Sequence, residues 1–308
     1  AASDVYKRQN VWRKENREVH KFLRAIGFSD ITKKDLEMIL DEVITRPEIM
    51  KITKDSEGNE FAELSGSFAA NAGITVRGTY QEDDSFHMDY YYPYVFGTSI
   101  TTNEQIDVEK HAEKESYAGV CDEVNLGVTL IFYIQNVADY LAETNRHLSK
   151  IHYGAMLAGL STEGKILCPV VERKKNDVPA IQKNDRHNQL IAQAREGDED
   201  AIESLTLEDM DTYALLSQRV MKEDIFSIVK STFMPFGIES DQYTVLGEII
   251  DCVTMENKLT HEKLYGMKLL CNNIQFDVCI NEKDLLGEPA IGRRFRGNVW
   301  MQGNLCLE

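Results

Sequence analysis

The run Gly127-Val128-Thr129-Leu130-Ile131-Phe132-Tyr133-Ile134 is the most concentrated apolar, β-branched and aromatic stretch in the chain. It has the length of a strand. A strand that is apolar on both faces must be covered on both faces. The run passes directly into Val137-Ala138-Asp139-Tyr140-Leu141, a helical pattern. Residues 124–148 therefore predict a buried central strand with a helix docked behind it, and the flanking segments must supply the cover.

Upstream, residues 19–28 read as a short helix with Phe22, Leu23 and Ile26 on one face and Gly27 at its end. Leu36, Ile39, Leu40 and Val43 repeat at helical spacing until Pro47 closes the pattern. A strand-rich region follows. Residues 50–54 and 60–64 flank the turn Glu57-Gly58-Asn59, and residues 74–80 and 86–92 flank an acidic turn. Residues 111–120 and 124–134 complete the set. The aromatic cluster Tyr90, Tyr91, Tyr92, Tyr94 and Phe96 is broken by Pro93. It reads as the core of a hairpin that cannot continue past the proline, or as a patch that anchors a partner.

Downstream, residues 150–172 read as a strand pair turning at Thr162-Glu163-Gly164, and residues 173–186 are a polar linker. Residues 187–196, 199–205 and 207–221 form an acidic, amphipathic helical arm. From residue 223 strand patterns return at 226–233, 244–252, 265–270, 274–280 and 294–306, which suggests a small closed or half-closed β-barrel. The expected fold is α+β: an N-terminal antiparallel sheet with packed helices over 19–172, a linker and helical arm over 173–222, and a β-barrel-like domain over 223–308. Residues 1–9 resemble translated sequencing-adaptor sequence, so 1–18 are expected to be a non-native tail with Val19 as the native start.

Composition removes several function classes. The formal net charge is -17 over 308 residues, with a pI near 4.9. That field repels polyphosphate and anionic membrane surfaces, so neither nucleic acid nor membrane is an expected partner. Cys121, Cys168, Cys252, Cys271, Cys279 and Cys306 form no C-x-x-C pair and read as reduced thiols. The N-terminus is polar and has no signal-peptide h-region, which makes the cytoplasm the expected location. No P-loop, G-x-G-x-x-G after a strand, G-x-S-x-G, kinase or EF-hand motif is legible, and no cofactor is expected.

Three constellations carry the available chemistry. The C-terminal strand alternates: Arg294, Arg296, Asn298, Trp300 and Gln302 fall on one face, with Arg293 adjacent. Guanidiniums beside an indole can grip a carboxylate or phosphate while stacking a ring. The same face reads equally as a solvated one whose arginine stems cover the tryptophan, or whose charges pair with the acidic arm. His111, Glu113 and Glu115 share a strand face at a spacing usable by a metal, without H-E-x-x-H or a second nearby histidine; a solvated face is the plainer reading. Cys121 is a nucleophile only with a base beside it.

The segments 20–28, 111–122 and 284–289 with Gly292-Arg293-Arg294-Phe295 resemble an uncharacterised bacterial family, a domain of unknown function from anaerobic Gram-positive bacteria. The resemblance extends from Val19 to Glu308. It implies a bacterial cytoplasmic protein and supplies no catalytic residue. The expected function is a non-enzymatic cytosolic binding or interaction module, regulatory in one version, contacting a protein or small anionic ligand through Arg293, Arg294, Arg296 and Trp300. The alternative is a hydrolase-like enzyme using His111, Glu113, Glu115 or Cys121.

Overall fold

The structure, a computed structural model, describes residues 19–110, 115–145, 152–169, 229–237 and 240–307, with residues 193, 198, 200, 203 and 204. The expected helical arm and linker fall almost wholly outside these residues, as do residues 1–18.

The chain enters through a 3-10 helix, Lys21–Ile26, ended by Gly27 at φ 94°, whose N–H returns to the carbonyl of Arg24. Helix α1, Lys33–Thr45, starts where the Thr32 hydroxyl accepts from the Asp35 N–H. Four strands then form an antiparallel meander: β1 Ile49–Lys54, β2 Glu60–Ala69, β3 Ala72–Tyr80 and β4 Phe86–Val95. β4 runs through Pro93, which pairs with Ile74. It is the edge strand of this sheet, so the missing N–H removes no ladder bond. The expectation that pairing ends at the proline is thereby corrected.

The second sheet has ten strands: β5 Thr102–Lys110, β6 Tyr117–Glu123, β7 Val128–Ile134, β8 His152–Leu167, β9 Thr232–Pro235, β10 Gln242–Glu256, β11 Lys263–Cys271, β12 Ile274–Asn281, β13 Leu285–Leu286 and β14 Arg294–Leu305. Its spine is the antiparallel pair β8–β14. On one side pairing runs β8–β5–β6–β7–β14, and on the other β8–β12–β11–β10–β14. Both circuits close on the same two strands. β7–β14 and β12–β8 pair parallel, so the sheet is mixed.

The α+β expectation is overturned. Among the described residues the chain is mostly strand, with helices α1 and α2 (Val137–Asn145) and two 3-10 turns, the second at Glu282–Asp284. The sheets cover one another instead of being covered by a helical layer. The expected hairpin at Thr162-Glu163-Gly164 is a single sixteen-residue strand. Gly164 is there because a Cβ would stand 2.4 Å from the Phe295 ring; its smallness serves close strand packing, not a turn.

The organising run is β7. Leu130, Phe132 and Ile134 are fully buried within the second sheet's core. Tyr133 points the other way, into the core shared with the first sheet. Helix α2 lies against β1 and β2. The double burial holds for the second half of the strand, while Thr129 is exposed at its start.

Candidate functional site

Two buried glutamines join the sheets where the outer edge of β4 meets β14 and the end of β7. Gln135 is 5% exposed and Gln302 is fully buried. Gln302 Nε2 donates to the carbonyl of Pro93 at 2.9 Å, and its Oε1 accepts from Gln135 Nε2 at 2.8 Å. Gln135 Nε2 also donates to the Val95 carbonyl at 2.9 Å. The side-chain amides thus do at this edge what a neighbouring strand would do. Gln135 Oε1 has no hydrogen-bond partner among the described residues. A buried acceptor left unpaired costs about 1–3 kcal/mol.

Beside it, Arg77 is completely buried. Its Nε donates to Glu63 Oε1 at 2.7 Å. Nη1 reaches the hydroxyls of Tyr90 and Tyr133, at 2.9 and 2.7 Å. Nη2 reaches the Tyr92 hydroxyl and the carbonyls of Ile134 and Gln135, at 3.1, 3.0 and 2.8 Å. Burial works against the charge, but Tyr133, Tyr90, Tyr92 and Glu63 outweigh it and hold the guanidinium well above its ordinary pKa. Glu63 Oε2 accepts from the Ala138 N–H at 2.9 Å, so one carboxylate serves both the arginine and the start of α2. Burial raises the Tyr92 hydroxyl above its ordinary value, so it stays a neutral donor.

Of these residues Glu63, Tyr92 and Gln135 also line a cleft of about 330 Å³ between the sheets. Glu63, Ser65, Thr75, Tyr92 and Gln135 are its buried polar residues. The Ser65 and Thr75 hydroxyls lie 2.8 Å apart and bond each other. Phe96, Met156, Leu305 and Ile49 give it an apolar wall. At the exposed end Lys51 Nζ and Asp139 Oδ2 form an ion pair of 2.6 Å. The buried end offers acceptors, and the open end offers one charge of each sign.

Residues 23–303, which include every residue of this cleft but Asn304 and Leu305, match the family described as a domain of unknown function from an E. rectale gene description, DUF3881. The chain belongs to that family. E. rectale is an anaerobic Gram-positive bacterium, so the resemblance drawn from the sequence is borne out. No curated protein and no solved structure matches the chain. Among the described residues of this DUF3881 chain no helix is long and apolar enough to cross a membrane.

The residues singled out from sequence are placed as follows. Arg293 is exposed and donates to the Glu288 carbonyl at 2.7 Å. Arg294 is buried, with Nε on the Cys168 carbonyl at 2.9 Å and Nη1 on the Val229 carbonyl at 2.6 Å. Desolvation lowers its pKa. Arg294 thereby ties the segment just after β8 to the segment just before β9. Arg296 is half-buried between Leu246 of β10 and Lys165 of β8. Trp300 is 6% exposed. Its ring stacks on Phe22 at 5.2 Å and its Nε1 donates to Asp241 Oδ2 at 2.7 Å. β14 is therefore covered on both faces, and Trp300 sits apart from the arginines in the inter-sheet core.

His111 and Glu113 lie outside the described residues. Glu115 is buried and accepts from Lys110 Nζ, Ser56 Oγ and the Tyr117 hydroxyl, at 2.6, 2.7 and 2.5 Å. Burial pushes its pKa up, but these bonds outweigh it and the net shift is downward. Among the described residues no group of three or more His, Cys, Asp or Glu is placed to hold a metal. Cys121 is buried, and burial with the nearby Glu123 carboxylate pushes its thiol up to about 12. Sequence reading passed over Arg77, Glu63 and Gln135, and placed Gln302 on the candidate face of the C-terminal strand without a role of its own. The visible signal was Arg77, a lone charge in the strand that pairs with the tyrosine-rich β4, where it stands opposite Tyr90.

Proposed function

We propose that the chain is a non-enzymatic, cytoplasmic binding module that holds a small polar molecule in the cleft between its sheets. The observation that carries this reading is the cleft's lining: Glu63, Ser65, Thr75, Tyr92 and Gln135 gather beside an apolar wall in a hollow between the sheets. The cleft's volume falls at the small end of the ligand-site range, and an apolar wall with a few convergent polar groups is the usual lining. Its carboxylates are committed, Glu63 to Arg77 and Asp139 to Lys51, which suits holding a ligand better than shuttling a proton. The cysteines carry free thiols, with Cys168 exposed, which fits a reducing compartment.

The test is thermal unfolding of the full chain with a panel of neutral amino acids, primary amines, carboxylates and polyols. A true ligand at 100 times its Kd raises stability by about 2.7 kcal/mol, or roughly 5 °C in Tm. Met156→Trp, which fills the cleft from its half-buried wall, is expected to abolish the shift. No shift from any class, or a full shift in a folded Met156→Trp protein, would overturn the proposal.

A further inference from the structure

We infer that a groove beside α1 docks a basic amphipathic helix of another protein, its apolar face turned inward and its lysines or arginines on the rim. This surface is separate from the inter-sheet cleft, and the inference does not rest on the reading above. The groove, of about 400 Å³, lies between α1 and the turn that joins β10 to β11. Asp35, Met38, Ile39 and Glu42 form its α1 wall. Their spacing of i, i+3, i+4 and i+7 sets them in one stripe. It runs beside the stripe of Leu36, Leu40 and Val43 that is buried in the core. Leu259, Thr260 and Glu262 form the other wall, and Phe28 and Ile31 complete the apolar lining.

The second wall is tied down. Asn257 Oδ1 accepts from the N–H groups of Leu259 and Thr260, at 2.9 and 3.0 Å. The Thr260 hydroxyl donates to the Gly27 carbonyl at 2.6 Å. A preformed groove spares a partner the cost of ordering it. Met38 and Leu259, from opposite walls, are 56% and 50% exposed, so each wall offers an apolar anchor to the same occupant. Charge decides which occupant. Asp30, Asp35, Glu42 and Glu262 line the groove, and no Lys, Arg or His does; Lys33 and Lys34 open α1 outside the lining. Lys283 pairs with Asp30 at 3.3 Å and with Glu262 at 2.7 Å. Among the described residues no ion pair reaches Asp35 or Glu42. These carboxylates repel a second copy of a chain whose net charge is -17. They also repel the chain's own amphipathic arm, residues 187–221, which carries eight acids against two arginines. A helix with an apolar face between basic flanks meets both the anchors and the rim.

The probe is a fluorescein-labelled peptide of about four helical turns, built from leucine and lysine at helical spacing, titrated with the full chain by anisotropy. Two control peptides replace every lysine by glutamate or every leucine by serine. The leucine–lysine peptide is expected to bind at least 10-fold more tightly than either control, and less tightly as salt rises. Met38→Ser combined with Leu259→Ser is expected to weaken it 10-fold or more. Glu42→Lys is expected to do the same at low salt, whereas Glu57→Lys, an equal change of charge at the β1–β2 turn, is expected to leave it within 2-fold. All four positions are exposed, and circular dichroism checks that each variant folds. Failure of the leucine–lysine peptide to bind would overturn the proposal. So would undiminished binding by the folded double-serine variant, or equal losses from Glu42→Lys and Glu57→Lys, which mark general attraction to an acidic surface. Self-association in sedimentation that the double-serine variant abolishes would give the groove to a second copy and overturn it too.

Discussion

Gln135 Nε2 lies 2.8 Å from Gln302 Oε1, and this bond between residues 167 apart locks together the two amides by which the second sheet holds the Pro93 and Val95 carbonyls on the edge of the first. The orientation of both amides is forced. Turning Gln302 would set its oxygen against the Pro93 carbonyl and its nitrogen against the Val95 N–H. Turning Gln135 would set its oxygen against both the Val95 carbonyl and Gln302 Oε1. The free oxygen of Gln135 is therefore a consequence of the joint.

Removing Arg77 is the harshest single change available in the fold. Arg77→Met leaves the Glu63 carboxylate buried without its counter-charge and strips donors from three tyrosine hydroxyls. The expected loss is about 3–5 kcal/mol, read from urea unfolding. Changing Glu63 to Met in the same protein should recover part of it, because the uncompensated charge is then gone. Strict additivity of the two would contradict the account.

Glu115 makes stability depend on acid. Its folded pKa lies below the ordinary 4.5 because the bonds from Lys110, Tyr117 and Ser56 outweigh burial. Its contribution is therefore fully present above that ordinary value and is lost as pH falls through the folded pKa. Glu115→Gln should be less stable by about 1–3 kcal/mol near neutrality. The gap should narrow on acidification below about pH 4.5. Equilibrium unfolding from pH 3 to 7 measures it, and a gap that does not change with pH contradicts the assignment.

The thiols should separate by burial. Burial pushes Cys121, Cys271 and Cys279 up to about 12. Cys168 is exposed. At pH 8, brief native alkylation mapped by mass spectrometry should mark Cys168 first and spare those three. Early labelling of Cys121 would revive it as a nucleophile.

Gly27 is held by its left-handed backbone and by a neighbour. A Cβ there would stand 2.6 Å from that of Asn257, whose Nδ2 donates to the Ile26 carbonyl at 2.7 Å. Gly27→Ala should cost about 1–3 kcal/mol in unfolding free energy. It should also add less than its full cost to Asn257→Gly, which removes the Cβ that the new methyl would meet.

Much of the strand layout was legible because apolar runs and turn signals are local. β1, β3, β12 and β14 fall within two or three residues of where their patterns place them. Non-local packing accounts for the misses. Pro93 and Gly164 carry strong breaking signals, yet one sits on a sheet edge and the other under a phenylalanine ring. Alternation along β14 suggested one solvent face, but the second sheet's two closed circuits and the first sheet cover both sides of it. Alternation placed Gln302 on a face, but its bond to Gln135 was invisible for the same reason: a lone amide has no period, and its partner is set by how strands meet. Arg77 was the exception that sequence could have shown, as a lone charge in its strand.

The most direct test of the cleft is methyl NMR on the full chain with 13C-labelled methionine methyls, titrated with whichever compound of the panel stabilises the fold. Met156 lines the cleft, while Met38 lines a separate groove beside α1. The account predicts that the Met156 methyl shifts saturably with the ligand and that Met38 stays in place. A saturating ligand that leaves Met156 unmoved would show that binding happens elsewhere.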